Sequence, residues 1–597
     1  MFERTERVPP HAEIGPRLLR GVGGLATSAT AVRAFRHSHS AVVQFGLVAL
    51  LGIIGLVLAA GSTLLNEHLH RGIETGAEQP YVVHSTGREL ATNVDLDAFP
   101  VSEFERIAET LQSSGFRYVR QPLRWSTIEP RQGELSWERA DAIVEAFIVH
   151  RLDPILVLSS SPDWARGETQ GEVTDAPPAD PADYAQFVGE VVRRYGDRVR
   201  FIQVWDQPND PGHWGGSLAT PAAYLGLLAP AFNAARDANS DVRVVLAEFV
   251  PTNVSNVPDQ DLAFIGSLYG LGGKEYFDVV AVRLDGGDSA PTSRQVGADR
   301  LSFARAILFR DIIVAHDDAA TPIWGTHFGW DASSGTEPGR INREQQADFV
   351  ELGLQRSARE WPWMGLLIQW AFVPTQGGSE ADYALLSETG AATPLYTRLT
   401  NLAASGNASI AASGFSPMNS AAVSYSGTWS DQHLGDQTLR TTSDSGATAT
   451  LRFRGSGVVA FMRYGPESGI ARIVIDGQPL ADYDNVSDAA ELDLSSFQTV
   501  DVPVTLTRGL DQGEHELKVS LGSEGQLTIG GLVVVRELTL MWPVVLLASG
   551  AAVCLALALR EMIYAIAIRS GHLQAGREAD LWPELPRLPN WRPARRA

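Results

Sequence analysis

Between residues 81 and 405, short apolar β-rich runs alternate with longer segments of helical periodicity, and that alternation constrains the chain more than any other feature. Strands separated by helices cannot pair through tight hairpins, so they lie parallel and the helices cover them. Strand candidates are 90–95, 116–121, 154–159, 200–205, 242–247, 277–282, 321–325 and 364–370. Helix candidates lie between them, among them 101–114, 182–195 and 343–359. Ser102 ahead of Glu105 resembles a capping box at the first of these. Eight strands in about 325 residues fit an α/β fold of the (β/α)8 barrel type, with a doubly wound open sheet as the rival. No glycine-rich phosphate loop follows an early strand, so nothing supports nucleotide binding.

The pattern changes over 416–537. Helical periods give way to short alternating runs, at 447–453, 458–463, 471–475, 502–507, 514–521 and 525–535, separated by Gly, Ser and Asp. That spacing predicts a β-sandwich.

Two other runs, 41–65 and 538–559, carry no charge and are each long enough to cross a bilayer as a helix. The segments outside them, 1–40 and 560–597, are each about +3 by count of Arg against Asp and Glu. The positive-inside rule therefore places both termini in the cytoplasm and everything between the spans outside. The domain plan is a cytoplasmic tail (1–40), a transmembrane helix (41–65), a linker (66–80), the barrel (81–405), the sandwich (416–537), a second transmembrane helix (538–559) and a cytoplasmic tail (560–597). Pro583, Pro586, Pro589 and Pro593 leave the last tail without a core, and disorder is expected there. The formal charge of -22 argues against a nucleic-acid partner, which needs a basic face. The one cysteine, Cys554, falls in the second span, so the outer domains contain no disulfide or thiolate metal site.

Two motifs bear on function. Val204-Trp205-Asp206-Gln207-Pro208-Asn209 closes the fourth strand candidate, and Pro322-Ile323-Trp324-Gly325-Thr326-His327-Phe328-Gly329-Trp330 spans the seventh. They resemble the two catalytic strand ends of the large clan of retaining glycoside hydrolases built on (β/α)8 barrels. In that clan the first motif reads W-N-E-P-N and carries the acid/base Glu; the second reads T-E-x-G and carries the nucleophile Glu. Other segments resemble the same clan in order and spacing: Gly115 to Arg120 with Arg124-Trp125 and Ile128-Glu129-Pro130, Leu158 to Ala165, Phe277 to Val282, and Trp361 to Trp370 followed by Tyr383 to Leu386 and Pro394 to Tyr396. Tyr425 to Ser430, Ile475-Asp476-Gly477 and Gly513 to Leu517 resemble the galactose-binding-like jelly rolls that accompany such enzymes.

The resemblance puts Gln207 at the acid/base position and His327 at the nucleophile position. An amide has no proton to give in the chemical step, and an imidazole is not the usual partner of an oxocarbenium-like centre. The Asn before the acid/base is Asp206, and the sixth-strand His-x-Tyr is Arg283-Leu284-Asp285. What this implies is a glycoside hydrolase-like barrel that binds an envelope glycan without cleaving it, needing no cofactor and no metal. Two alternatives stay open. An active hydrolase would use relocated carboxylates, Asp206, Glu248 and Asp285, with Asp206 and Glu248 the first pair to consider. A scaffold would bind an envelope protein partner. A metal held by His327, Asp206, Glu248 and Asp285 has no local ligand spacing behind it. Candidate glycan-binding residues are Arg120, Trp125, Trp164, Trp205, Trp330 and Trp370; by the resemblance, Trp370 is the platform beneath the sugar and Arg120 a donor at the same mouth. Glu129 is expected to be a surface or structural acid.

Overall fold

The computed structural model describes residues 41–84, 89–166, 175–251, 260–332, 341–374, 379–405, 410–434, 437–479, 491–538 and 541–570. The chain divides into two compact units: Gly72–Leu538, and the flanking residues up to Arg71 and from Thr539.

Eight parallel strands organise the larger unit: β1 (Leu90–Asn93), β2 (Phe116–Arg124), β3 (Asp153–Ser159), β4 (Phe201–Val204), β5 (Arg243–Val245), β6 (Val280–Asp285), β7 (Ile323–Gly329) and β8 (Met364–Gln369). β1 pairs with both β2 and β8, so the first and last strands are neighbours in the sheet. Between β5 and β6 the ring is completed by a single parallel bridge, Val245 to Val279, with Leu246 N–H donating to Val279 C=O at 2.9 Å and Asp278 N–H to Val244 C=O at 2.8 Å. The fold is a (β/α)8 barrel. Its lumen is filled by side chains such as Tyr118, Ile155, Phe201, Trp324 and Ile368, with Trp324 edge-on to Phe201 at 5.1 Å. The barrel is therefore a packed core, and ligand access is confined to its ends.

The helices start where short polar caps precede proline. Asp180 accepts from Ala182 N–H ahead of the helix Pro181–Tyr195, and Thr220 and Thr393 do the same for Pro221–Ala238 and Pro394–Ala404. Asn342 and Gln345 form a reciprocal capping box at Arg343–Glu360. Ser102 is not such a cap. A 3-10 turn, Val101–Glu103, precedes the helix Phe104–Ser113, and its N-cap residue Glu103 makes no side-chain cap bond. Pro100 holds the extended backbone ahead of that turn, so Ser102 lies inside the tighter turn rather than at a helix boundary.

Two antiparallel sheets follow. One runs β10 (Val423–Ser426), β13 (Thr448–Gly455), β19 (Gly513–Leu521), β15 (Ile470–Ile475), β16 (Gln478–Pro479), with β17 (Glu491–Asp493) also on β15. The other runs β11 (Ser430–Leu434), β12 (Gln437–Thr442), β20 (Leu527–Val535), β14 (Gly457–Tyr464), β18 (Val500–Thr507), with β9 (Gly414–Ser416) also on β20. Both sheets send residues such as Leu451, Phe453, Met462, Ile473, Leu517 and Ile529 into one core, as a sandwich requires. The strands that apolar alternation does not reveal, β9–β12, β16 and β17, are short or polar.

The segment expected as a linker behaves otherwise. Its first residues continue the preceding helix to His70. Its remainder is stitched between barrel and sandwich. Glu74 N–H donates to Glu360 C=O at 3.0 Å, the Glu74 carboxylate pairs with Arg310, and Arg536 N–H donates to Thr75 C=O at 3.0 Å. Tyr81 packs edge-on against Phe461 of β14. The chain thus begins and ends this unit on adjacent backbone.

The smaller unit contains two helices, Ala41–His70 and Trp542–Arg569, each with a stretch long and apolar enough to cross a membrane. Both run past the carboxyl ends of the expected spans, 41–65 and 538–559, while the second begins at Trp542 rather than at 538. Ser62 Oγ donates to Val544 C=O at 3.1 Å, and Gly55 lies against Leu555, so the helices pack antiparallel. A Cβ at Gly55 would come within 2.8 Å of the Leu555 side chain, so glycine is what admits that close approach. Large apolar side chains including Leu56, Val57, Leu64, Leu546 and Ile563 face outward.

Trp324→Ala should cost about 3–5 kcal/mol, because it empties the barrel lumen. Phe497→Ala, at a fully exposed ring, should cost under about 0.5 kcal/mol. Urea denaturation midpoints of the two purified variants give the comparison, and equal shifts would contradict the lumen packing.

Candidate functional site

At the carboxyl end of the barrel, the chain leaves β4 through a strained turn. Trp205 has φ 64° and Gln207 φ 47°, both in the left-handed region that non-glycine residues seldom adopt. Hydrogen bonds hold the turn: Trp205 N–H donates to Leu158 C=O, Trp205 Nε1 to His213 C=O and Asp210 N–H to Gln207 C=O. Asn209 exchanges two hydrogen bonds of 2.8 Å with the Val250 backbone. The turn sends Asp206 and Gln207 to different partners.

Gln207 reaches Glu248. Its Nε2 donates to Glu248 Oε1 at 3.1 Å. The other oxygen, Oε2, accepts from Thr326 Oγ1 at 2.6 Å and pairs with His327 Nδ1 at 2.7 Å. An ionised carboxylate only accepts, so the Nδ1 position carries the proton. Arg283 Nε lies 3.3 Å from Oε1 as an ion-pair contact whose geometry falls short of a hydrogen bond. The two positions that the resemblance assigns to a catalytic pair are thus bridged by a third residue, one oxygen each. Glu248 is fully buried. Burial by itself would raise its carboxyl, but His327 and Arg283, with a smaller effect of Arg120, hold it well below the usual carboxylate range.

Asp206 belongs to a second network. Arg120 donates through Nη2 to Asp206 Oδ1 at 2.8 Å, through Nη1 to Asn93 Oδ1 at 2.9 Å and through Nε to Gln203 Oε1 at 2.9 Å. Gln203 Nε2 also donates to Asp206 Oδ1 at 2.9 Å. Arg120 is 3% exposed, so it is a buried hub rather than a donor on an open face. Asp206 and Glu248 are each committed to cations, and the arrangement offers no unpaired acid and base between them. Asp285, at the end of β6, differs. Burial pushes its carboxyl up, although Gly287 N–H, Tyr383 O–H and Arg283 oppose the rise.

The tryptophans separate clearly. Trp125, Trp205 and Trp330 are fully buried and have no face for a ligand, which corrects the sequence-based expectation for all three. Trp125 stacks on Phe187, Trp205 packs against Tyr184 and Trp214, and Trp330 packs among Phe303, Phe328 and Phe349. Each ring turns back into the layer between strands and helices, where it removes more apolar surface from water than it could at the mouth. Trp164 is half-buried and donates to Glu129 C=O at 3.0 Å. Glu129 accepts from Trp125 Nε1 and Gly133 N–H, which makes it a structural acid. Trp370 is half-buried at the mouth. Tyr383 stacks on it at 3.9 Å, the Arg283 guanidinium lies 4.9 Å from its ring centre, and His327 meets its edge at 5.3 Å.

Sequence reasoning passed over Asn93 and Gln203, and it quoted Thr326 and Tyr383 within motifs without assigning them a site role. Asn93 and Gln203 sit at or next to the carboxyl ends of β1 and β4, and that position was the available signal. Tyr383 arrives from the loop after β8, in the segment that follows Trp370 in the resemblance. Among the described residues, no group of three or more His, Cys, Asp and Glu is placed to hold a metal ion.

No protein-family model matches the chain, and no curated protein matches it. Solved structures similar to it are glycoside hydrolases. A family 39 glycoside hydrolase from Bacteroides cellulosilyticus WH2 shares 15% identity over 74% of this chain and 82% of its own, with a TM-score of 0.44. A glucosidase from Croceicoccus marinus shares 13% over 75% of this chain and 98% of its own, with a TM-score of 0.40. A GH5_18 protein from Streptomyces cattleya shares 14% over 54% and 81%, also at 0.40. At such scores these similarities carry nothing about activity.

Glu248→Gln should destabilise the protein by about 3–5 kcal/mol at neutral pH, because it removes the buried acceptor of Gln207, Thr326 and His327 and leaves Arg283 without its counter-charge. The folded carboxyl lies below its unfolded value of about 4.3, so its contribution is present above that pH and is lost as pH falls. The difference in urea midpoint between wild type and variant should narrow progressively as pH falls below about 5. A difference independent of pH would mean that the charge of Glu248 is not what stabilises the mouth.

Proposed function

We propose that this protein is a membrane-anchored glycan-binding barrel that holds an extracytoplasmic or cell-envelope glycan at its mouth without hydrolysing it, both termini being cytoplasmic. The supporting observation is the bridge of Gln207 and His327 through Glu248. Retaining hydrolysis needs one carboxyl to give a proton and another, about 5–5.5 Å away, to attack carbon. At the corresponding positions stand an amide and an imidazole, both spent on one buried carboxylate that is kept ionised. Such a site has hydrogen-bonding groups and the edge of an aromatic ring, but neither an available proton donor nor an exposed nucleophile. The antiparallel pair of apolar helices supports the anchor, and the adjacent start and end of the larger unit are compatible with two spans crossing one bilayer.

A glycan array probed with the full-length protein should show saturable binding, with no reducing sugar released from bound glycans. Trp370→Ala should weaken binding by about 1–3 kcal/mol through loss of ring contact. Gln207→Glu combined with His327→Glu should not yield an efficient hydrolase, because Glu248 would then face two further carboxylates and the three would share protons. Strong turnover of an aryl glycoside by that variant would refute the reading. A second reading, hydrolysis by a relocated acid, is favoured only by the raised carboxyl of Asp285. Release of reducing sugar by the wild type that disappears in Asp285→Asn would establish it.

A further inference from the structure

The opposite end of the barrel holds a cavity of about 710 Å³. One wall is the amino ends of barrel strands, with Glu89, Phe116 and Tyr118; the other is the first segment of the sandwich, with Phe415, Ser420 and Ala422. Leu354 and Ala358 of the helix Arg343–Glu360 line its side. A cavity of this size at a junction of two domains is within the range of small-molecule sites.

Two buried polar atoms in these walls have no hydrogen-bond partner: Glu89 Oε2 on the barrel side and Ser420 Oγ on the sandwich side. An unsatisfied buried oxygen is costly, and two in opposite walls of one cavity are unusual. Both residues line the space. Burial pushes the Glu89 carboxyl up, and its own backbone N–H, Arg117 and Arg200 oppose the rise only in part. The charges around the cavity balance. Arg117 pairs with Asp153 at 2.9 Å, and the other two ionisable lining residues, Arg151 and Glu89, are one of each sign, so the lining has no excess of either formal charge. The remaining lining is mainly apolar. Water would satisfy the two oxygens but would leave Phe116, Leu354 and Phe415 wetted.

We propose that this seam cavity is a second ligand site, separate from the mouth, which takes a neutral amphiphile: a hydroxyl-bearing head against Glu89 and Ser420 and a short apolar body against Phe116, Leu354 and Phe415. A hydroxyl donates to Glu89 Oε2 and exchanges a hydrogen bond with Ser420 Oγ. The site does not depend on the barrel mouth being a sugar site.

The test uses the full-length protein in lipid nanodiscs, titrated by calorimetry with 1,2-octanediol as the neutral probe and octanoate as the anionic control of equal chain length. Wild type should bind the diol saturably, and octanoate at least about tenfold more weakly. Ala358→Trp, which fills the cavity from a helix surface, should abolish the saturable heat and leave only uptake by the bilayer. Glu89→Leu should weaken diol binding by about tenfold or more without lowering the melting temperature, since it removes an uncompensated buried oxygen. Ser420→Ala should weaken it independently if Glu89→Leu folds poorly. Trp370→Ala, at the mouth, should leave diol binding unchanged. Diol heats identical in wild type and Ala358→Trp, octanoate binding as tight as the diol, or full affinity in both Glu89→Leu and Ser420→Ala would each overturn the proposal.

Discussion

A fully buried carboxylate at the barrel mouth, Glu248, has to be neutralised where three strands end. Its partners come from β4's exit turn, from β6 and from β7, so balancing one charge fixes the relative position of all three. An ion of this kind is costly to bury unless its lone pairs are met in good geometry. Here Gln207, Thr326, His327 and Arg283 surround it, and the left-handed backbone at Trp205 and Gln207 is the strain that brings Gln207 to it. Arg120, Asp206, Asn93 and Gln203 form a neighbouring network that ties β1, β2 and β4 in the same way. The mouth is stiffened by charge and hydrogen bonding.

The same logic operates at the side of the barrel near the sandwich. Glu360 is buried at the end of its helix; burial would raise its carboxyl, and Arg294 and Arg356 together hold it low. Its backbone carbonyl accepts from Glu74, and Arg536 bonds back to Thr75. Barrel, sandwich and the first residues of the larger unit are therefore joined by backbone hydrogen bonds and ion pairs as well as apolar packing. The seam left between barrel and sandwich is imperfectly filled, and unsatisfied oxygens collect there because neither domain provides a donor that reaches across.

Much of the fold was legible in the residues. All eight barrel strands fall within a few residues of the runs marked by apolar composition, because parallel strands covered on both faces leave a continuous apolar signature. In the sandwich the long strands β13, β14, β15, β18, β19 and β20 were legible for the opposite reason, alternation of one buried and one exposed face. The short polar strands were not, since their place is set by partners distant in sequence. The candidate site was legible in part. Gln207 and His327 could be singled out from local motifs, and Glu248 and Asp285 from their strand ends. Which of the six tryptophan and arginine candidates face a ligand could not be read, because a strand-end ring turns outward or inward according to the helices packed beside it.

By itself, then, the sequence determined the parallel α/β alternation, the change to antiparallel sandwich, the two charge-free apolar runs and the absence of Glu at two motif positions, since each of these is a property of neighbouring residues. The tertiary structure alone decided that Gln207 and His327 converge on one carboxylate, that Trp125, Trp205 and Trp330 are core, that Arg120 is a hub, and that an expected linker is a strap. Those depend on groups brought together from strands far apart in the chain, where the cost of burying charge and the space left by packing, rather than local periodicity, settle the outcome.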